Sequence, residues 1–540
     1  MIVAESPAAA EAGLAVLRRG GSAVDAAIAA QMVLTLVEPQ ASGIGGGALM
    51  LTYDAASRTI TAWDGRETAP AAAGPDLFLD RQGEPLPYQA AGIGGRSVGV
   101  PGVVAMLQEA HAASGKLPWA DLFADAIRLA ENGVAVPPRL AAASVDDAAA
   151  LARQPAILER FRPSGQPLVA GATYTNRDLA DTLRAVAADG AKALASGPIA
   201  AAIATAVRTD PNPGLLTVDD LGAYRAKQRQ VVCGPYRGHR VCGFGPPSAG
   251  GVAVLETLGV LSHFDMPGLA PQQDGPPAIG AALALLEAER LAHADRLLYL
   301  ADDDFVPVPV RGLLDPGYLL VRAQLIDPDH AIATPRAGNP DWTQGGTVFA
   351  PSPPQPEHGT SDLAVIDDAG NAVALTTTVN DRFGARILVR GFVLNNELTD
   401  FSFAPERNGR PVANRVQPGK RPRSSMAPTF VLDPEGRLQW IAGSVGGADI
   451  ISYVAQALVE TIDWRRTPEQ AVAAPQLVTT GGNVRLEANT ALSALSPSLQ
   501  ASGETVTTAP IDSGTIVVAV TKDGLVGAAD PRRDGVALGD

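Results

Sequence analysis

The chain has 540 residues, with 57 acidic against 42 basic side chains and a net charge of −15, which repels phosphate backbones and anionic membrane surfaces and excludes nucleic acid as a partner. With 46% hydrophobic and 18% charged residues it is a packed globular protein, long enough for two ordinary domains or one large layered unit. Apolar stretches such as 26–37 are too short or too interrupted to span a bilayer, and two cysteines are too few for a disulfide framework.

The first seven residues lack the basic and apolar regions of a secretory signal. The chain as written therefore reads as cytoplasmic, although removal of a leader would leave the same start. Helices are expected at 8–17 and 22–37, the second opened by a capping-box pattern of Ser22 and Asp25. The glycine run Ser42-Gly43-Ile44-Gly45-Gly46-Gly47 then leads into strands at 48–53 and 59–63. Helical patterns at 103–133 and 178–208, broken by Pro and Gly, read as outer layers. A hairpin over 231–244, turning at Arg237-Gly238, would set Cys233 opposite Cys242; two buried free thiols are the expectation, a pair the alternative. Residues 250–263 read as a helix, and 280–300 as a longer amphipathic one with its charges on one side. The stretch 327–357, rich in Pro, Gly and Thr, reads as an exposed loop. Beyond it come strand pairs (363–367 with 372–379, 428–433 with 438–442), a helix at 450–464 and a strand at 516–520. Strands and helices in blocks point to an α+β fold, with stacked antiparallel sheets covered by helices.

The densest chemical signal lies at Gly359-Thr360, where a threonine opens an alternating run that turns at Asp368-Ala369-Gly370. A three-residue turn with Gly370 left-handed places Thr378 directly opposite Thr360, with the two hydroxyls in reach. A two-residue turn would shift the register and remove the pair. Thr–Thr pairs are also ordinary in sheets, so the hairpin alone does not define a site.

Read together, the motifs resemble the gamma-glutamyltransferase family of N-terminal nucleophile hydrolases over nearly the full chain. They are the 42–47 glycine loop, Gly65-Arg66-Glu67-Thr68-Ala69-Pro70, Val98-Gly99-Val100-Pro101-Gly102, Pro246-Pro247-Ser248-Ala249-Gly250-Gly251, Thr360 with Gly370-Asn371-Ala372-Val373, Leu394-Asn395-Asn396-Glu397 with Asp400-Phe401-Ser402, Lys420-Arg421-Pro422 with Ser424-Ser425-Met426, and Gly446-Gly447. The resemblance implies a four-layer αββα sandwich and a precursor that cuts itself between Gly359 and Thr360. The products would be a large piece 1–359 and a small piece 360–540, partners in one heterodimeric unit. The freed α-amine, whose ordinary pKa is about 7.7–8.0, can take the hydroxyl proton near neutral pH. If a leader has been removed, the resemblance implies a periplasmic or secreted protein.

The resemblance also implies roles for single residues. Thr360 is the nucleophile and Thr378 orients its hydroxyl, while Gly446 and Gly447 form the oxyanion hole. Arg66 matches the family's carboxylate-binding arginine, Ser424 and Ser425 add hydroxyl donors, and Asn380, Glu397 and Asp400 face the substrate ammonium. Taken without the family pattern, Arg66 beside Glu67 reads equally as a surface ion pair. The implied activity is transfer of a gamma-glutamyl group from glutathione-like donors to water, amino acids or peptides. Two rivals stand beside it. One is a glutaryl-type or β-lactam side-chain acylase of the same superfamily; the other is an uncleaved, non-catalytic amino-acid-binding homologue. The chain departs from the family pattern at Ser361 and Asp362, where threonine and histidine are usual, and in a short 403–423 segment without Tyr or Trp, which corresponds to the family's variable lid. Six histidines, His358 among them, form no zinc spacing, and the glycine run lacks a phosphate loop's lysine; no metal or cofactor is expected.

Overall fold

A computed structural model describes residues 1–272, 275–342, 348–353 and 359–540. Among the described residues, thirteen strands build two large sheets: β1 Ile2–Ala4, β2 Gly47–Asp54, β3 Thr59–Asp64, β4 Lys227–Arg229, β5 Val231–Tyr236, β6 His239–Phe244, β7 Gly359–Ile366, β8 Ala372–Asn380, β9 Thr429–Leu432, β10 Leu438–Gly443, β11 Ile516–Thr521, β12 Gly524–Ala529 and β13 Val536–Leu538. The first sheet runs β13-β1-β7-β8-β2-β3-β4 and the second β12-β11-β10-β9-β6-β5, with antiparallel neighbours throughout. Both sheets mix strands from before and after residue 359, and β7 lies well inside the first.

Side-chain alternation along β7 and β8 explains the layering. Leu363, Val365, Val373 and Leu375 join a core with helices α1 (Pro7–Arg18) and α2 (Ala23–Val37). Ala364, Ile366, Ala372 and Ala374 face the other way, into a core shared with Phe430, Ile441 and Val518 of the second sheet. Helices α3 (Gly250–Leu261), α4 (Ile279–Tyr299) and α5 (Ile450–Leu458) belong to that second core. The result is the expected αββα sandwich.

The predicted elements recur with small shifts, and the Ser22–Asp25 capping box is present. The 450–464 helix ends as α-helix at Leu458 and closes with a π-turn, Val459–Asp463. Three expectations need correction. Cys233 and Cys242 are disulfide-bonded rather than free, because the Arg237–Gly238 turn makes them register partners with Cα atoms 4.1 Å apart. The charges of α4 do not form a solvated side: Glu287, Glu289, Arg290, His293, Asp295 and Arg296 are all buried, and Arg290 and Arg322 pair with acids there. In the 327–357 stretch, Phe349, Ala350 and Ser352 are buried rather than exposed, and 343–347 and 354–358, His358 included, lie outside the described residues. Among the described residues no helix is long and apolar enough to cross a membrane.

Candidate active site

The expected β7–β8 register holds from Ala372–Ile366 to Thr377–Ser361, with Gly370 left-handed in the turn (φ 82°). It then slips, so that Asn380, at φ 75°, pairs with Gly359. The expected Thr360–Thr378 pair is therefore replaced by a convergence. Both hydroxyls donate to the Gly359 carbonyl, Thr360 from 2.6 Å, and the Asn380 N–H donates to the Thr378 hydroxyl at 2.7 Å. The Gly359–Thr360 bond, buried in an inner strand, carries two hydroxyls on its carbonyl.

The separated motifs meet around this bond. The Ser42–Gly47 run passes beneath β8 so closely that a Cβ on Gly46 would lie 1.9 Å from the Thr378 carbonyl oxygen, which only glycine permits. Asn395 ties three motifs together: its amide donates to Gly45 O (2.8 Å) and Gly99 O (3.0 Å), while its oxygen accepts from Gly99 N and Glu397 N. Ser248 pins the other side by donating to Met426 O at 2.7 Å, and Ala249 N donates to Ser424 O at 2.8 Å. Lys420, buried and pushed down to about 7 by its burial, donates to Ala413 O (2.6 Å) and Gln417 (3.0 Å) within the 403–423 segment.

Arg66 is 1% exposed and is gripped by the Glu397 and Asp400 carboxylates, with Glu67 at 3.9 Å. The resemblance implies a cation for the substrate α-carboxylate and, a few ångströms away, anions for its α-ammonium; in the fold Arg66 and the two carboxylates are ion-paired to one another. Arg66 and Glu67 are both buried, so they form no surface pair. Burial works against the Arg66 charge, but Glu397, Asp400 and Glu67 outweigh it and raise its pKa. Burial lifts Glu67 to about 8 despite Arg66. Asn380 donates to Thr399 at 2.8 Å. Ser425 accepts from Arg296 at 2.5 Å, a contact hidden from sequence because Arg296 sits on what reads as a solvated helix face.

Gly446 (φ 126°) and Gly447 (φ 63°) adopt backbone conformations that side chains disfavour, and the short turn Gly447–Asp449 runs straight into α5. Their N–H groups thus stand near a helix N-terminus, where negative charge is favoured. A cavity of about 10 Å³ is lined by Arg66, Gly359, Thr360, Thr378, Asn380, Glu397, Asp400, Ser424, Ser425 and Gly447. Gly446 instead lines an adjoining cleft of about 990 Å³ that shares Gly359 and Thr360. Every residue expected at the site thus borders one of two cavities meeting at the Gly359–Thr360 bond.

Comparison with known proteins gives the family. The family model described as gamma-glutamyltranspeptidase matches residues 9–540. The "Glutathione hydrolase proenzyme" of Bacillus subtilis (strain 168) is 36% identical over 549 residues, covering 100% of this chain and 91% of that protein. The "Acylase ACY 1 proenzyme" of Pseudomonas sp. (strain SE83) is 34% identical over 548 residues, covering 100% of this chain and 93% of that protein. The crystal structure of a cephalosporin acylase from Bacillus halodurans superposes with a TM-score of 0.86 at 26% identity, over 99% of this chain and 94% of that one. The chain belongs to the gamma-glutamyltranspeptidase family.

Proposed function

We propose that this chain is a self-processing gamma-glutamyltransferase and glutathione hydrolase. The single observation that carries the reading is the convergence of Thr360, Thr378, Arg66, Glu397 and Asp400 on one cavity at the Gly359–Thr360 bond. In processing, the Thr360 hydroxyl oxygen attacks the Gly359 carbonyl carbon and the amide nitrogen leaves as the new α-amine. Water then hydrolyses the ester, freeing the Gly359 carboxylate and restoring the hydroxyl. The fragments 1–359 and 360–540 remain one folded unit, a reading supported by sheets that draw strands from both.

In turnover the α-amine takes the hydroxyl proton, Thr360 Oγ attacks the γ-amide carbon, and the proton passes to the departing amine. The Gly446 and Gly447 N–H groups hold the oxyanion, and Thr378 steers the nucleophile. Water or an incoming amine then takes the acyl group. Arg66 receives the substrate α-carboxylate, Ser424 and Ser425 donate to it, and Asn380, Glu397 and Asp400 hold the α-ammonium.

A second reading, removal of a glutaryl-type side chain, is favoured by the likeness to proteins named as acylases. A glutaryl group has no ammonium to meet Glu397 and Asp400, so those carboxylates would repel its terminal charge. Comparing a gamma-glutamyl anilide with its glutaryl counterpart tests the choice. The gamma-glutamyl substrate should have the higher kcat/KM by at least about tenfold; equal values would remove the role given to the two carboxylates.

A further inference from the structure

We propose that Asp362 is a positioning residue, clamping the backbone that leads into Gly446 and Gly447 to the strand that carries Thr360. The inference rests on the acyl-transfer reading above. Asp362 lies on β7 two residues beyond Thr360, so alternation puts both on the face turned toward the second sheet. That face otherwise carries Ala364 and Ile366 in the inter-sheet core, and Asp362 is fully buried among them.

Its carboxyl reaches all three pieces of the reaction centre. Oδ2 accepts from Thr376 Oγ1 at 2.9 Å; Thr376 is its register partner on β8, two residues before Thr378. On the other side the carboxyl lies flush against Gly443, the last residue of β10, where a Cβ would come within 2.6 Å of both oxygens. The next residue, Ser444, shares a 3.0 Å hydroxyl contact with Thr515, and the chain runs on through Val445 to Gly446. One side chain therefore touches the nucleophile strand, the Thr378 strand and the root of the oxyanion turn. A carboxyl in such a core is costly, and an alanine like its neighbours would avoid that cost.

The clamp works by shape and hydrogen bonding. Burial pushes Asp362 well above the usual carboxylate range; the Thr376 hydroxyl opposes, the Glu5 carboxylate adds to the rise, and the Leu363 and Ser444 N–H groups oppose. Glu5, the ionisable group facing it, is itself raised to about 8 by burial, with Arg533 at 3.9 Å pulling it back and Glu38 adding to its rise.

The test is steady-state turnover of a gamma-glutamyl anilide, together with the rate of self-cleavage, in Asp362→Ala, Asp362→Asn and Gly443→Ala. Asp362→Ala should lower kcat by about 10–100-fold with KM within about threefold, because the Arg66 cavity is untouched. Asn, which keeps the shape and the oxygen that accepts from Thr376, should recover most of that loss and keep the acidic limb of the pH–rate profile. Gly443→Ala should repeat the alanine loss from the other side of the contact. Parental kcat in the alanine variant, an asparagine variant no better than alanine, or an acidic limb lost with asparagine would each overturn the clamp. If the alanine variant does not fold, the other two decide. Wild-type protein without turnover would sink the acyl-transfer reading itself; the clamp is then judged on self-cleavage, which must slow with alanine and recover with asparagine.

Discussion

Replacing Thr378 by valine keeps a β-branched side chain of similar shape and removes one hydroxyl. In the continuous chain that hydroxyl donates to the Gly359 carbonyl and accepts the Asn380 N–H at 2.7 Å. Valine leaves the buried Asn380 N–H without its acceptor, at a cost of about 1–3 kcal/mol. It also removes one of the two hydroxyls on the carbonyl to be attacked, the other being that of Thr360 at 2.6 Å. Loss of one such donor from an acyl-transfer site costs about 10²–10³ in rate. Self-cleavage of Thr378→Val should slow by that factor, while Thr378→Ser recovers most of the rate. The assay is the time course of the split from one band to two on a denaturing gel, with a thermal melt to show that the variant is folded. Cleavage of folded Thr378→Val at the parental rate would refute the reasoning that this hydroxyl polarises the scissile carbonyl.

Arg66→Ala should still yield two bands, but with KM raised about 10–100-fold, and it should be destabilised by about 3–5 kcal/mol because Glu397 and Asp400 lose their buried cation. Lysine should rescue little, since one ammonium cannot reproduce the fork that meets both carboxylates; an unchanged KM would remove Arg66 from substrate binding. Thermal melts across pH should show a falling stability between pH 5 and 7. Burial raises Glu5, Glu67, Glu289 and Glu460 to about 8 and Glu38 to about 7, so the folded chain keeps protons that the unfolded chain releases. That stability is complete below the unfolded carboxyl pKa and is lost as pH climbs toward 8. Lys420, depressed to about 7 by burial, works the other way only above pH 7, where the unfolded chain holds the extra proton, so the fall should flatten there. A melting temperature that rises from pH 5 to 7 would contradict these assignments.

The fold was legible where local chemistry and burial agree. The Ser22 capping box, the alternating β7 and β8 runs and the Gly370 turn all act over a few residues, and each stands where the pattern puts it. The burial of the α4 charges is not legible in sequence because helical periodicity cannot tell a solvated face from one met by partners distant in sequence, such as Glu504 against Arg290. The register slip past Thr377 is hidden from sequence for a similar reason. It brings Asn380 against Gly359 beside a strand held by Gly46, a constraint more than 300 residues away. Pairing of Cys233 with Cys242 could have been favoured from the hairpin, since register partners in a tight turn are within bonding reach. Residue types at the site were readable from motif order; the Arg66–Glu397–Asp400 pairing was not, because spacing in sequence does not say which charges neutralise each other.

In the proposed function, activity depends on a broken bond before Thr360. Intact-mass measurement of purified, active protein, paired with turnover of a gamma-glutamyl anilide, tests it most directly. Two species separated at Gly359–Thr360 are expected, the smaller beginning with a free threonine amine, with no turnover from any uncut chain. Fully active protein with residues 359 and 360 still joined would contradict it.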